Sequence, residues 1–443
     1  MYKYPMQGVY RVYLQRLWRN RAGNVLVLAA ACMPLLIGAA GLAVDTANWT
    51  YWKRQLQREA DSAALAGAYA RAQGKDAIAA ATNDLTRTNV ITLSTPADIK
   101  SAPTTGAFAG NPLAVRVALS TQRRLPFSGA FMSSVPVISA HATAAVIVAG
   151  QYCALALGGG SVVGITMSGS ASVNFGCGMA TNSTSKTKAV YAGGSSSITA
   201  SPIAAVGGLS ASSNYTGTTQ LLPYTLPQQD PYASVPNPTV PSKCTPLNVN
   251  PKDTLSVSAT DYGSIKGTNC FSGTKIQGTV TFRPGIYYID GGSFNVQSTA
   301  NISVDASGVP EGGETGVTFI LTSSSSDPKN IATLNIAGGA TVNLSATTLA
   351  TNPYHGLIFY QDRRALDSGT NTVNGNASSG FYGGFYFPSQ ELDFSGTSGM
   401  TTKCIQLVAL RLTFIGNTAV NNTCDKPGGG GNSFQATIVR LVE

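Results

Sequence analysis

The sequence predicts a membrane-anchored α+β protein, in which a long N-terminal transmembrane helix and a small antiparallel sheet precede an all-β domain. Three features support this: an uncharged segment near the N-terminus, a proline-free alanine-rich segment after it, and short apolar runs separated by small residues beyond Gly150. Such runs, recurring at irregular intervals, are typical of stacked turns of a parallel β-solenoid, or β-helix. The alternative for this domain is a β-sandwich.

Composition excludes several functional classes. A 43% hydrophobic share excludes wholesale disorder, although only 11% of residues are charged and 48 are glycine. The two histidines, His141 and His355, lie far apart in the chain, which excludes a multi-histidine metal site. The net charge of +9 forms no basic patch or motif of the kind that nucleic-acid binders carry. We predict no cofactor, no metal site and no nucleic-acid partner.

A transmembrane anchor is predicted over residues 24–45. Its core, from Val25 to Val44, contains no charged residue and is long enough to cross a hydrocarbon layer of about 30 Å. A cleaved signal peptide is the alternative, but its apolar stretch usually runs only about 7–15 residues. The segment is therefore predicted to remain as a single-pass anchor.

The charges beside the anchor predict its orientation. Residues 1–23 carry five basic residues, including Arg19 and Arg21, and no acidic residue. Because positive segments stay in the cytoplasm, the N-terminus is predicted to be cytoplasmic and the bulk of the chain to lie on the other side. Trp49, Tyr51 and Trp52 follow the span, where aromatic side chains favour the membrane interface.

The segment from Thr46 to about Gly74 is predicted to continue the membrane helix as one rod of roughly 50 residues. Its small-residue stripe, at helical spacing, allows close packing on a sheet or on a neighbouring helix. The packing residues we predict are Leu56, Ala60, Ala63 and Gly67. Further along, residues 113–120 alternate apolar and polar side chains, and residues 135–148 are also β-prone, so a small sheet is predicted within 46–150.

The N-terminal region resembles a known family. Residues 16–70 include RNRAGNVLVLAAACMPLLIGAAGLAVD followed by YWKRQLQREADSAALAGA. This order of elements is similar to the N-terminal signature of TadG-like proteins of the Flp (Tad) pilus assembly system. The resemblance implies a pilin-like plan for residues 46–150, a bacterial inner-membrane location, and partners among other pilin-like subunits and the Tad assembly platform. It also supports the solenoid over the sandwich, since the C-terminal regions of TadG-like proteins are similar to residues 151–443.

Within the predicted β domain, 151–443, one segment differs in composition. Residues 215–251 are rich in proline and are predicted to form an extended crossover rather than a turn of the solenoid. The clearest strand candidates lie outside it: residues 316–322, 356–362, 383–389 and 404–410.

Six of the seven cysteines follow the anchor, in a compartment where disulfides persist. Because each neighbouring pair is separated by about one or two turns of the solenoid, we predict the pairs Cys153–Cys177, Cys244–Cys270 and Cys404–Cys424. Fifteen pairings are formally open. Cys32, inside the span, is predicted to be unpaired.

The predicted function is non-enzymatic assembly of the Flp/Tad pilus as a minor-pilin-like factor. One alternative is an envelope adhesin or binding module that recognises cell-surface or envelope ligands. Another is a β-solenoid enzyme acting on polysaccharide, which would need paired carboxylates. The candidate acids and bases for it are Asp290, Asp305, Asp362, Arg363 and Arg364, of which the last three are more typical of a surface ion-pair cluster.

Overall fold

The described part of the chain begins with one long helix. The computed structural model describes residues 24–261, 263–305, 315–375, 378–396, 399–402, 404–422 and 434–443. Helix α1 spans Asn24–Ala72, 49 residues, and continues through Pro34. It ends before Gly74, whose φ of +69° is a left-handed conformation that favours glycine. The continuous helix predicted from the sequence is confirmed.

A second helix follows directly. Helix α2 spans Ala77–Thr88, and the carboxylate of Asp76 caps it by accepting hydrogen bonds from the backbone N–H groups of Ile78 and Ala79. Short 3₁₀ turns occur at Ser128–Ala130 and Pro328–Asn330.

The remaining described elements are strands. They are β1 Asp98–Ser101, β2 Ala114–Gln122, β3 Val137–Ala156, β4 Ile165–Met167, β5 Ser172–Asn174, β6 Gly178–Thr181, β7 Val190–Ala192, β8 Ser197–Thr199, β9 Ile203–Ala205, β10 Leu221–Leu222, β11 Thr245–Val249, β12 Thr254–Val257, β13 Cys270–Ile276, β14 Thr279–Phe282, β15 Gly285–Asp290, β16 Ser293–Val296, β17 Asn301–Val304, β18 Val317–Thr322, β19 Thr333–Ile336, β20 Thr341–Ser345, β21 Leu357–Gln361, β22 Thr370–Gly375, β23 Gly380–Gly396, β24 Gly399–Thr402, β25 Cys404–Phe414, β26 Ala419–Asn422 and β27 Phe434–Leu441.

The chain divides into two units. Unit 1 comprises residues 1–146 and 439–443, and unit 2 comprises residues 147–438. In unit 1, β1, β2 and the first part of β3 form an antiparallel sheet. The last residues of the chain return to this sheet, because the backbone N–H groups of Thr143 and Val442 donate to Glu443 and Thr143 carbonyls at 2.9 Å. Unit 2 is therefore inserted, in sequence, between two parts of unit 1.

Unit 2 is built from parallel ladders. We call a layer each stretch of chain whose strands pair in parallel with the corresponding strands of the next stretch. Val280 pairs with Ile302 and Ile302 with Val342, and the same stacking continues through Tyr386 and Val408 in the neighbouring ladder. The ladders that join the strands from β4 to β26, and those that join the second part of β3 to β6 and β25, are parallel, as stacked layers require and an antiparallel sandwich does not provide.

The layers are not stacked in chain order. From residue 245 they follow one another up to the layer 404–422, as the sequence order would suggest. That layer then pairs with residues 154–174, through Leu407 with Ala154 and Leu412 with Ile165. The layer 178–199 pairs with residues 154–174 on their other side, and the layer 203–222 follows it. The chain thus enters the stack in its middle.

The connection between the two ends of the stack is the proline-rich segment. Residues 223–244 contain no helix or strand. In order along this segment, Thr225 donates to Ala205 at 2.9 Å, Gln228 to Asn182 at 2.7 Å, and Tyr232 to Gln406 at 3.2 Å. These partners lie in the layers 203–222, 178–199 and 404–422, progressively further along the stack, so the crossover runs down its outside.

The strands beneath the crossover are buried on both sides. Inside the stack, a column of apolar side chains runs through Phe319, Phe359 and Phe385 in successive layers, with ring centroids 5.6 and 5.1 Å apart. Outside it, a second column holds Tyr360 and Tyr386, whose ring centroids are 5.1 Å apart and which the crossover covers. The long helix, the small antiparallel sheet and the all-β region that the sequence predicts are confirmed, and the large sheet is parallel.

Candidate functional site

The first part of α1 is apolar and uncovered. Val25, Leu26 and Leu35 are each more than 70% exposed, as no soluble core helix would be. By length and composition this is the one helix in the described residues that could cross a membrane. Cys32 lies in it and is unpaired and exposed.

Aromatic side chains follow the apolar segment. Trp49 and Tyr51 are exposed, and Trp52 is half-buried. The guanidinium of Arg123 lies 6.0 Å from the centroid of the Trp52 ring, a cation–π distance. Arg19 and Arg21 lie outside the described residues, so the role we predict for these five side chains at the membrane interface stays a prediction.

The second part of α1 packs into unit 1. The predicted packing residues Leu56, Ala60, Ala63 and Gly67 are all buried in the core between α1, α2 and the antiparallel sheet. At Gly67 the approach is close, because a methyl group there would lie 2.8 Å from Cγ1 of Val115. The small-residue stripe therefore packs within its own unit, and a contact of these residues with other subunits stays a prediction.

Two buried carboxylates on α1 were missed as structural residues by the sequence reasoning. Asp45 is 4% exposed and accepts hydrogen bonds from the backbone N–H groups of Phe127 and Ser128, at 2.8 and 2.6 Å. Glu59 is 3% exposed and accepts one from the backbone N–H of Val90, at 3.0 Å. For Asp45, the available sequence signal was its position directly after Val44, at the end of the apolar segment. Both carboxylates tie a loop of unit 1 to the long helix.

One side of α1, across the end of the apolar segment, remains uncovered. A shallow groove runs along it, in which small and hydroxyl side chains lie between larger ones. Its lining residues are Leu42, Ala43, Thr46, Ala47, Thr50, Tyr51 and Arg54.

The cysteines of unit 2 form disulfides. Cys153 is bonded to Cys177, and Cys244 to Cys270. Cys404 is disulfide-bonded as well, and its predicted pairing with Cys424 lies outside the described residues. The first disulfide links two successive layers of the stack, and the second ties the end of the crossover to β13.

The acidic candidates for polysaccharide chemistry are held in structural contacts. Asp290 accepts from the backbone N–H and the hydroxyl of Ser324 at 2.6 and 2.8 Å, and Asp305 pairs with Arg283 at 2.8 Å. Asp362 is 1% exposed and accepts from the hydroxyl of Thr322 at 2.7 Å. The described residues contain no cluster of three His, Cys, Asp or Glu side chains that could hold a metal ion.

Asp362 and Arg364 form an ion pair, with 2.8 Å between Oδ2 and Nη2. Burial acts to raise the pKa of Asp362, but hydrogen bonds from Arg364 and Thr322 outweigh it and hold the pKa below its ordinary value. The carboxylate is therefore charged at neutral pH and serves as an acceptor within the stack, not as a proton donor.

Arg363 has a different role, which the sequence reasoning missed. Its guanidinium donates to the Tyr386 hydroxyl at 2.8 Å, to the Val235 carbonyl at 2.8 Å, and to the Tyr232 carbonyl. The Tyr386 hydroxyl in turn donates to Asp230 at 2.6 Å. Desolvation and the charge of Asp230 raise the pKa of Tyr386, so it stays protonated. These side chains fasten the crossover to the stack.

In the described residues, the fold and the helix together define a protein in which an apolar, membrane-length helix continues into a small α+β unit that carries a parallel β insertion. Residues 23–72, which hold that helix, match the family model described as putative Flp pilus-assembly TadE/G-like. This segment is thus identified as a TadE/G-like Flp pilus-assembly domain, in agreement with the resemblance found in the sequence. No curated protein and no solved structure matches the chain.

Proposed function

We propose that this chain is a non-enzymatic, membrane-anchored component of Flp/Tad pilus assembly that acts as a minor-pilin-like factor through α1. One observation carries the proposal. The segment matched by the TadE/G-like model is a single helix whose first part is apolar and exposed and whose second part packs on a small antiparallel sheet. A helix of this kind can stay in the bilayer while its folded unit remains in water.

The proposed topology is a single pass over residues 24–45, with residues 1–23 in the cytoplasm and the rest in the periplasm or at the cell surface. The basic residues before the span, among them Arg19 and Arg21, support this orientation. The disulfides Cys153–Cys177 and Cys244–Cys270 support an oxidising compartment for unit 2.

We propose that unit 2 is a parallel β-solenoid, supported by the parallel ladders that join its successive layers. Its outer surface carries hydroxyl pairs between adjacent layers, such as Ser172 with Ser197 at 2.9 Å and Thr199 with Thr216 at 2.7 Å. These pairs are the observation that favours the second candidate function, an adhesin or envelope-binding module. In either case the proposed role is binding, because the acids considered for catalysis are occupied by structural contacts.

Assembly contacts are proposed for the uncovered groove of α1. Leu56, Ala60, Ala63 and Gly67 are occupied within unit 1, whereas the groove around Ala47 is open to other pilin-like subunits or to the assembly platform. Its small side chains allow another helix to approach closely.

The test is genetic complementation scored by electron microscopy of pili. Deletion of the gene should abolish pili, and the wild-type gene should restore them. Ile37→Arg places a charge within the span at a cost of about 2.5–3.5 kcal/mol if it lies near the bilayer centre, and should not restore them. Ala47→Arg fills the groove without touching the core and should also fail. Val90→Arg, at a side chain that is 77% exposed, is the matched control and should restore pili.

Each contrary result has a defined meaning. Normal pili in the deletion strain would refute the assembly role and leave the surface-binding alternative. Rescue by Ala47→Arg, with Ile37→Arg failing, would refute the groove as the contact surface while keeping the anchor.

A further inference from the structure

A loop of unit 1 is fastened to α1 where the apolar segment ends. Residues 125–137 lie between β2 and β3 and include the first residue of β3, and the buried carboxylate of Asp45 accepts hydrogen bonds from the backbone N–H groups of Phe127 and Ser128 at 2.8 and 2.6 Å. The Phe127 ring lies directly over Gly41, since a methyl group added there would collide with it. The loop is thus held at the level of the last uncharged turn of the helix.

The tip of this loop exposes apolar side chains. Phe131 is 79% exposed, Met132 45%, Val135 41% and Val137 58%. The loop is nonetheless ordered from within: Nε and Nη2 of Arg124 donate to the Gly129 carbonyl at 3.0 and 2.7 Å. A fixed loop that presents four apolar side chains to solvent within seven residues indicates a surface that is covered in the working protein.

The composition of the loop and its surroundings suits a bilayer surface. Residues 125–137 contain no acidic residue, and Arg123 and Arg124 immediately precede them. Basic residues beside an apolar tip favour the anionic headgroups of a membrane. Trp49 and Tyr51, also exposed, lie one or two turns further along the same helix.

We propose that the loop 125–137 is a second membrane-contacting element, whose Phe131, Met132 and Val135 side chains insert into the headgroup and upper acyl region of the leaflet from which α1 emerges. The proposal rests on the anchoring of α1 proposed above. The occupant is the lipid bilayer because the loop is fastened to Gly41 and Asp45, so any membrane crossed by residues 25–44 reaches the loop as well. Amphipathic elements of this kind typically enter about 5–10 Å.

Two points of attachment have a mechanical consequence. A single helix leaves a folded unit free to tilt and to rotate about the helix axis. A loop that enters the same leaflet beside the helix restricts both motions of unit 1. The orientation of the α1 groove relative to the membrane plane is then set before any partner binds.

The experiment is site-specific photo-crosslinking in the full-length chain, reconstituted in vesicles of phosphatidylethanolamine and phosphatidylglycerol. Benzoylphenylalanine is placed at position 131, at position 37 within the span, or at position 90. Ile37 is 58% and Val90 77% exposed, so both tolerate the replacement. Val90 contacts Glu59, which lies fourteen residues beyond Asp45, or about 21 Å along the helix. It is the matched control in the same unit.

We expect lipid adducts, read by mass spectrometry, at positions 37 and 131 and none at position 90. Replacing Met132 and Val135 with serine should reduce the adduct at 131 several-fold and leave the adduct at 37 unchanged. Lipid adducts at 37 alone would overturn the loop proposal and leave the anchor intact. The crosslinking is repeated in cell membranes. There, a protein adduct at position 131 in place of the lipid adduct would also overturn the loop proposal and leave the anchor intact. Absence of lipid at 37 would remove the anchor, and the loop proposal with it.

Discussion

Asn422 connects the last layer of unit 2 to a layer that lies far away in sequence, and its replacement tests whether the stack closes there. Its side chain is 5% exposed. Nδ2 donates to the carbonyls of Phe175 and Ile405 at 3.2 and 3.3 Å, and Oδ1 accepts from the backbone N–H of Ile405 at 2.9 Å. Phe175 and Asn422 are 247 positions apart, so this bond exists only if the layers 404–422 and 154–174 are neighbours.

The change Asn422→Asp preserves the shape of the side chain and the bond from Ile405 N–H. It replaces the donating NH₂ group with an oxygen that faces two carbonyl oxygens. Losing two neutral hydrogen bonds costs about 1–3 kcal/mol, and burying the carboxylate adds to this until it takes up a proton. We therefore expect the junction to lose about 2–4 kcal/mol at pH 7.

The loss should depend on pH in a defined direction. Burial and the two carbonyls raise the pKa of the new aspartate in the folded chain above its unfolded value of about 3.9. The charge penalty is thus complete above the folded pKa, shrinks as the pH falls through it, and vanishes below the unfolded pKa. The protonated acid can donate to one carbonyl, so part of the loss remains at low pH.

The assay is amide hydrogen exchange of the full-length chain in detergent, followed by mass spectrometry. A loss of 2–4 kcal/mol corresponds to a roughly 30- to 700-fold larger population of the open state and to equally faster exchange, which we expect at the junction where Leu407 pairs with Ala154. Asn417→Asp is the matched control, because Asn417 is exposed in the same layer. If both variants exchange alike at the junction, the pairing of the layers 404–422 and 154–174 is refuted.

Three further predictions follow from single contacts. Gly67→Ala should destabilise unit 1, because a methyl group 2.8 Å from Val115 costs about 1–3 kcal/mol of overpacking, against a helix-propensity gain of about 1 kcal/mol. Gly38→Ala is the control and should not destabilise the protein, since nothing lies within 4 Å of the added methyl group. Thermal unfolding measures both variants. Asp393→Asn should raise the stability of unit 2 at pH 7, because burial and a neighbouring glutamate raise the pKa of Asp393 and so penalise its charged form; the gain should disappear below about pH 3.9, as read by denaturant unfolding at several pH values. Arg363→Lys, which cannot reach all the partners of the guanidinium, should accelerate proteolysis within 223–244; unchanged cleavage would contradict the role of Arg363 in holding the crossover.

Local signals made much of this architecture predictable. An uncharged segment followed by a small-residue stripe at helical spacing predicts a long helix that leaves an apolar layer and then packs closely, and α1 does both. Cysteines separated by about one layer predict neighbour pairing, because residues one layer apart lie above one another. Cys153 and Cys177 are such a pair.

The apolar runs predicted at 316–322, 356–362, 383–389 and 404–410 correspond to β18, β21, β23 and β25, but the sequence does not show what contacts their outer face. Ile320, Tyr360 and Tyr386 point outward and are buried beneath the crossover. A run that is buried on both sides shows continuous apolar character, and the sequence does not say which segment covers it.

The charged triplet Asp362-Arg363-Arg364 shows the same limit. Its density suggested an ion-pair cluster, and Asp362 with Arg364 forms one. Arg363, however, binds carbonyls about 130 positions away, on the crossover. Its role depends on which segment passes over its layer, and no pattern local to residue 363 contains that information.

The physics of stacking permits layers that are not in chain order. Each layer contacts only its neighbours, so the energy of a ladder is indifferent to the order in which the chain visits the layers. Starting in the middle requires one long connection, and loop closure becomes only slowly more costly with length. In residues 223–244 prolines stiffen that connection, and Tyr232 and Val235 cover the outer apolar column, so the connection offsets its own cost by burial. In this order of layers, one junction depends on contacts between segments far apart in sequence: the layers 404–422 and 154–174 must pair across most of unit 2. Correct folding of unit 2 therefore depends most on this junction.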